Sequence, residues 1–150
     1  MHDEDGFTLL EIICVLAIVG LLAALALPAI PRGTSRARLE AYALDIAALL
    51  KGDRNAAIRT RGPMATLLNA EAQVVRSGAT GASVQLPSDV SFDAILAKRC
   101  AGRAAGTTID FFPSGMSCGG TIALSRQGVS FEVRVNWLTG GVEVVPTGKS

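Results

Sequence analysis

Residues 6–28 read GFTLLEIICVLAIVGLLAALALP, and this stretch decides the fold. No charged side chain occurs from Ile12 to Ile30. In a helix, at about 1.5 Å per residue, such a run is close to the hydrocarbon thickness of a bilayer. The remainder of the 150 residues reads as ordinary soluble protein, so the chain divides into a greasy N-terminal helix and a globular part. The stretch makes a poor secretory signal. No Lys or Arg precedes it, it runs too long, and no A-x-A site follows it. Glu11 lies one helical turn into the apolar segment, where a carboxylate is costly unless something neutralises it. Snorkelling into the headgroup layer would account for Glu11 alone, but not for the whole arrangement.

The glycine, aromatic, threonine, two leucines and glutamate of Gly6 to Glu11, set ahead of an unbroken apolar helix, resemble the N-terminus of type IV pilins and type II secretion pseudopilins. The resemblance implies cleavage by a prepilin peptidase between Gly6 and Phe7, N-methylation of the new Phe7 amine, and an assembly role for Glu11, fifth in the mature chain. It also implies a helix-bending role for Pro28. The physics agrees. An amine at Phe7 and a carboxylate at Glu11 are each costly at low-dielectric depth, and pairing between neighbouring subunits removes much of that cost. Pro28 lacks an N–H and its ring crowds the carbonyl of Ala24, so the helix bends or loosens there, with Pro31 and Gly33 extending the weak stretch. Two features depart from the pattern. Residues 1–5 carry no Lys or Arg, and Arg32, Arg36 and Arg38 follow the apolar run. The positive-inside rule alone would therefore put the globular part in the cytoplasm. The cleavage motif, which needs a cytoplasmic leader, overrides it.

Beyond Thr34 and Ser35, either of which can cap a helix, Leu39, Tyr42, Ile46 and Leu49 recur at helical spacing, with Ala56 continuing the stripe. Arg38, Glu40, Asp45, Lys51 and Asp53 fall on the opposite, polar face. This predicts an amphipathic continuation of the first helix, laid on a sheet, with Tyr42 in the core. From Gly62 the pattern changes to strands and turns. The candidates are Met64–Asn69, Ala72–Arg76, Ser83–Leu86, Val90–Leu96, Ile109–Phe112, Thr121–Ser125, Val129–Trp137 and Gly141–Val145, with 97–106 a loop. Val129, Phe131, Val133, Val135 and Trp137 alternate with polar residues, as in a half-buried antiparallel strand.

The run FFPSGMSCGGTIALSRQGVSFEVRVNWLTGGVEV, residues 111–144, narrows the resemblance. Its F-x-P-x-G turn (Phe111 to Gly115), Gly119-Gly120 and W-L-T-G hairpin (Trp137 to Gly140) are similar to the C-terminal half of H-type minor pseudopilins of type II secretion. The likeness covers both ends of the chain and only loosely its middle.

Charge and reactive residues set further bounds. The formal charge is +1, and loss of Asp3, Glu4 and Asp5 from the 13 acids would leave 10 against 14 bases, near +4. That is too mild, and too scattered, to imply nucleic-acid binding. Cys14 within the apolar run behaves as a small hydrophobe. Cys100 and Cys118 are an even pair outside it, compatible with a disulfide in an oxidising compartment or with two free buried thiols. The one histidine is His2, ahead of the cleavage point, so the mature chain has none for a Ser-His-Asp, Cys-His or H-E-x-x-H site. Thr147 to Ser150 echoes a P-loop ending, but Glu143 holds the first glycine position. Asp89, Asp93, Asp110 and Glu132 show no spacing that favours acid–base work.

The sequence thus predicts an α+β, pilin-like fold, a long N-terminal helix packed on an antiparallel β-sheet domain. With what the resemblance implies, its parts are a leader at 1–6, a transmembrane helix at 7–31, an amphipathic helix at 32–61 and a periplasmic β domain at 62–150. The resemblance implies a single-pass inner-membrane subunit near the tip of a periplasmic pseudopilus. Its partners would be other minor pseudopilins, the major pseudopilin and the prepilin peptidase. No enzyme activity, cofactor, metal, small-molecule substrate or nucleic-acid partner is expected. The rivals are a minor type IV pilin serving pilus assembly or DNA uptake and a bitopic membrane enzyme. The first wants a basic C-terminal segment, whereas residues 141–150 offer Lys149 against Glu143. The second is disfavoured by the missing histidine and by Glu11.

Overall fold

The structure is a computed structural model describing residues 8–26 and 33–148. The expectations for Gly6, Phe7 and Pro28 lie outside the described residues. Two compact units, Met1–Gly33 and Thr34–Ser150, make up the chain.

The first unit holds helix α1, Leu9–Ala26. Thr8 starts it: the Glu11 N–H donates to the Thr8 carbonyl at 3.0 Å and to its Oγ1 at 3.3 Å, satisfying a donor that a helix start leaves open. Leucines, isoleucines and valines surround the axis on every side. Leu9, Leu10, Leu16, Ile18, Leu21 and Leu22 are all exposed. A helix apolar all round has no polar face to give to water. Among the described residues no helix is long and apolar enough to cross a membrane. The 18 residues of α1 reach about 27 Å at 1.5 Å per residue, short of a ~30 Å hydrocarbon core.

The second unit opens with α2, Arg36–Thr60. Of the two capping candidates, Ser35 is the cap: its backbone is extended and its Oγ accepts from the Arg38 N–H. The chain is not helical at 33–35, so the amphipathic helix expected at 32–61 begins at Arg36, after the weak stretch. The helix ends at Arg61, whose left-handed backbone (φ 53°) stops propagation.

Ten strands follow: β1 Met64–Asn69, β2 Val74–Arg76, β3 Ser83–Gln85, β4 Ser91–Leu96, β5 Arg99–Cys100, β6 Arg103–Ala104, β7 Thr108–Phe111, β8 Gly120–Arg126, β9 Val129–Val135 and β10 Val142–Pro146. They form two four-stranded antiparallel sheets, β3-β2-β1-β7 and β10-β9-β8-β4, rather than one, plus the ribbon β5-β6. That ribbon occupies the segment expected to be a loop. Its two-residue turn, Ala101 and Gly102 with φ of 48° and 81°, is hairpin geometry that apolar periodicity does not signal.

α2 packs on strands of both sheets. Leu39, Ile46 and Leu50 from the helix meet Leu68 and Val75 of the first sheet, Ile109 and Phe111 of β7, and Ile122, Leu124, Phe131 and Val133 of the second. The buried stripe is Leu39, Ala43, Ile46, Ala47, Leu50, Asp53, Ala56 and Ala57. It is rotated from the expected one, which leaves Tyr42 and Leu49 only half-buried against the core. Two corrections follow. Asp53, placed on the polar face from its charge, is fully buried. Trp137, placed in the inward row of β9, is 62 % exposed. The ladder ends at the Val135–Val142 pair. Asn136 then begins a turn, its Oδ1 accepting from the N–H groups of Leu138 and Thr139 at 2.9 and 3.0 Å, and this points Trp137 outward.

Candidate assembly site

Glu11 is the one expected assembly residue that falls within the described chain. It sits in the first turn of α1 and is exposed. A carboxylate is favoured at a helix N-terminus by the positive end of the helix dipole. Around it Leu10, Ile12, Ile13 and Val15 are exposed as well. The arrangement is a single negative charge at the start of an unpartnered apolar cylinder. It suits a cation held at low dielectric by a neighbouring molecule.

Within the globular unit, three polar clusters tie distant segments together. At its N-terminal edge, Asp89 Oδ2 accepts from the Thr34 N–H at 2.9 Å and Oδ1 from the Thr34 hydroxyl at 2.9 Å. Arg126 Nε pairs with the same carboxylate at 2.8 Å, and its NH1 donates to the Thr34 carbonyl at 2.6 Å. Thr34, just ahead of the α2 cap, is thereby tied to the loop before β4 and to the β8–β9 hairpin. The backbone and hydroxyl bonds from Thr34, opposed by partial burial and helped by Arg126, hold the Asp89 carboxyl below its ordinary value.

The second cluster surrounds Asp53. Its Oδ2 accepts from the Thr66 hydroxyl at 2.6 Å and the Gly78 N–H at 3.1 Å. Its Oδ1 accepts from the Ser77 hydroxyl and from the Ala79 N–H at 3.2 Å. One buried carboxylate thus joins α2, β1 and the β2–β3 turn. Gly78 is required for this, because a Cβ there would fall on the Ala65 carbonyl. In the third cluster Arg54 Nε donates to Gly115 O at 3.0 Å, and its NH2 donates to Thr139 O at 3.0 Å. This explains two motif glycines: a Cβ on Gly140 would strike both Gly115 O and the Arg54 guanidinium, and one on Gly115, whose φ is 83°, would press on Arg54 NH2 at 3.1 Å. The F-x-P-x-G and W-L-T-G turns are two halves of one arginine seat.

Sequence reading missed all three clusters. One signal was present. Asp53 lies seven residues after Ile46 and three after Leu50, inside the buried stripe, and a charge in that register marks a buried anchor. Nothing local marks Arg54 or the Thr34–Asp89–Arg126 group, whose partners are distant in sequence.

Cys100 and Cys118 lie with Cα atoms 5.7 Å apart, within disulfide range, and their sulfurs are in contact. Asp110 lies beside them. The four acids considered for catalysis do not converge. Asp89 binds Thr34 and Arg126, Asp93 accepts from the Ala94 N–H, Asp110 from Thr108, and Glu132 pairs with Arg134.

The fold and the N-terminal helix define a pilin-like protein. Residues 1–27 match the family of the prokaryotic N-terminal methylation motif. The minor pseudopilin EpsH of Vibrio cholerae aligns with a TM-score of 0.58 at 12 % identity, over 73 % of this chain and 98 % of that one. The type IV minor pilin FimU of Pseudomonas aeruginosa aligns at 0.57 and 14 %, over 78 % and 96 %. At such identities these likenesses establish the fold. In sequence, the chain is 32 % identical to the type II secretion system protein H of Xanthomonas campestris pv. campestris over 141 residues, 94 % of this chain and 83 % of that protein. It belongs to the type II secretion protein H family, the H-type minor pseudopilins, and its relatives are structural subunits.

Proposed function

We propose that this chain is a minor pseudopilin, a structural subunit of the type II secretion pseudopilus and not an enzyme. One observation carries the reading: α1 is apolar on every side and bears a single carboxylate, Glu11, in its first turn. Cleavage between Gly6 and Phe7 leaves a cationic, methylated amine one helical turn from Glu11. The apolar run, continued through Leu27 to Ile30 in the sequence, anchors the unassembled subunit in the inner membrane with its domain in the periplasm. In the filament the Phe7 amine of one subunit pairs with Glu11 of another, fixing register. The clusters at Thr34, Asp53 and Arg54 keep the domain rigid while the segment around Pro28 absorbs the change from bilayer to filament. Its partners are the prepilin peptidase, other minor pseudopilins and the major pseudopilin, near the filament tip. Cys100 and Cys118 are joined as a disulfide in the oxidising periplasm.

A minor type IV pilin is the second reading, favoured by the near-equal likeness to FimU. The 32 % identity to a type II secretion protein over 94 % of the chain favours the first. Intact-mass analysis of the membrane-extracted protein, with identification of what co-isolates, tests both. The expected product begins at methyl-Phe7 and co-isolates with secretion pseudopilins. An unprocessed chain in cells with an active prepilin peptidase contradicts the processing, and co-isolation with pilus subunits alone contradicts the secretion role.

A further inference from the structure

Four strands end the two sheets, and three of them are short, covered or ended by proline. β3 has only three residues. β7 is covered by the segment after it, through the Cys118 N–H to Asp110 O at 3.0 Å and the bridge from Phe111 to Ser117. β10 ends in Pro146, which has no N–H to offer. β4, Ser91–Leu96, differs. It is six residues long, contains no Pro, Gly, Lys or Arg, and pairs only with β8.

In an antiparallel ladder alternate residues turn their N–H and C=O toward the same neighbour. The Ala94 N–H is taken by its own neighbour's carboxylate, Asp93 Oδ1, at 2.8 Å. This places residues 92, 94 and 96 on the outward register. Among the described residues no turn or loop backbone bonds to residues 91–97 outside the ladder. Apart from the Ala94 N–H, the outward groups of this edge, those of Phe92 and Leu96 and the Ala94 carbonyl, have no partner among the described residues, and such an edge is a template for another strand.

Two further features select what pairs there. Ile95 shares the outer face of its sheet with Asp93, Thr121 and Arg134, by cross-strand register. It is 75 % exposed, the most exposed large hydrophobic residue outside α1. Immediately beyond β4, the β5–β6 ribbon carries exposed Lys98, Arg99 and Arg103. Among the described residues the ion pairs are Arg126–Asp89 and Arg134–Glu132, so these three cations have no carboxylate partner. Contact with Cys118 at the base of the ribbon and a tight turn at its tip hold them in place.

We infer that the free edge of β4 receives an extended strand from a neighbouring pseudopilus subunit. That strand sets an apolar side chain beside Ile95 and an aspartate or glutamate against Lys98, Arg99 and Arg103. The backbone edge supplies affinity, while the apolar and basic positions supply selectivity. A helix cannot satisfy the open edge, and a neutral strand leaves the basic ribbon unpaired. The inference rests on the chain being a filament subunit, and the test separates the two claims.

The full-length chain, in its own membranes, is given a photoreactive phenylalanine analogue at Ile95, at Arg134 two strands away on the same face, or at Val15 on α1. The Ile95 position is expected to give a protein adduct. Its partner peptide should be a strand bearing Asp or Glu, with the Arg134 position much weaker. In the unlabelled chain Ile95→Lys should lower partner co-isolation by about tenfold, the effect of ~1.4 kcal/mol. Ile95→Thr, which keeps strand propensity without adding charge, should stay near the wild type. Reversing Lys98 and Arg99 to glutamate should weaken the same adduct. Equal adducts at Ile95 and Arg134, an adduct of β4 with its own copy, a lipid adduct alone, or an unaffected Ile95→Lys each overturn the inference. Adducts at Val15 with none at Ile95 overturn the edge alone, whereas absence at Val15 removes the filament reading too.

Discussion

Replacing Asp53 with alanine should strongly destabilise the globular domain. The side chain is fully buried and accepts four hydrogen bonds, from the hydroxyls of Thr66 and Ser77 and the N–H groups of Gly78 and Ala79. Alanine removes every acceptor at once. The hydroxyls can rotate toward other partners, but the two N–H groups of the β2–β3 turn are fixed by the backbone. Each buried donor left without a partner costs about 1–3 kcal/mol. Two fixed donors plus part of the hydroxyl loss therefore come to roughly 3–5 kcal/mol. Against the 5–15 kcal/mol that typically separates folded from unfolded domains, that is a large share. Asp53→Asn sharpens the test. Each carboxylate oxygen serves one hydroxyl and one N–H, so whichever way the amide turns, one fixed N–H faces an NH2. The asparagine variant should lose about half as much, near 2 kcal/mol. Urea unfolding of the membrane-extracted full-length chain at fixed pH, followed by pulse proteolysis, gives both values. A change below about 0.5 kcal/mol for Asp53→Ala, the usual range for a surface substitution, would refute the reasoning.

Two further outcomes are expected. Cys100 and Cys118, 18 residues apart, should resist thiol labelling after denaturation without reductant, and bridging that loop should contribute about 3 kcal/mol in the chain-entropy model; stoichiometric labelling contradicts the bridge. For Asp89, the folded carboxyl titrates below the ordinary 3.8 because Thr34 and Arg126 favour its charged form. Its contribution is therefore fully present above the unfolded value and is lost as pH falls through the folded one. Asp89→Asn should flatten the acid limb of stability, and an unchanged limb contradicts the Thr34 tie.

Much of the fold was legible from pattern. The strands β1, β4, β8, β9 and β10 appear within a residue or two of their periodicity, because period-two burial is a local property. The two-sheet division was not legible. It depends on β7 pairing with β1 across more than forty residues (Thr66 with Ile109) while β4 pairs with β8. Such long-range choices leave no mark on either strand alone. Asp53 and Trp137 misled for opposite reasons: a charge can be buried when four donors meet it, and an aromatic can be exposed when an Asx turn ends its ladder. In the candidate site, Glu11 stood out because a carboxylate in an apolar run is anomalous. Arg54 did not, because an arginine on an amphipathic helix is ordinary until the two glycine turns it fastens are seen.

The pairing of Glu11 with a neighbour's amine is the central claim, and Glu11→Ala tests it most directly. Were α1 a simple anchor, removing a charge from it would help insertion or change nothing, since a carboxylate in lipid costs several kcal/mol. In the filament the same change leaves a buried amine unpaired, which typically costs about 3–5 kcal/mol. The measurement is site-specific crosslinking of full-length Glu11→Ala to its pseudopilin partners in intact membranes, with processing followed by mass. The account predicts normal insertion and cleavage with crosslinks to partners largely lost. Crosslinks at the wild-type level would contradict it.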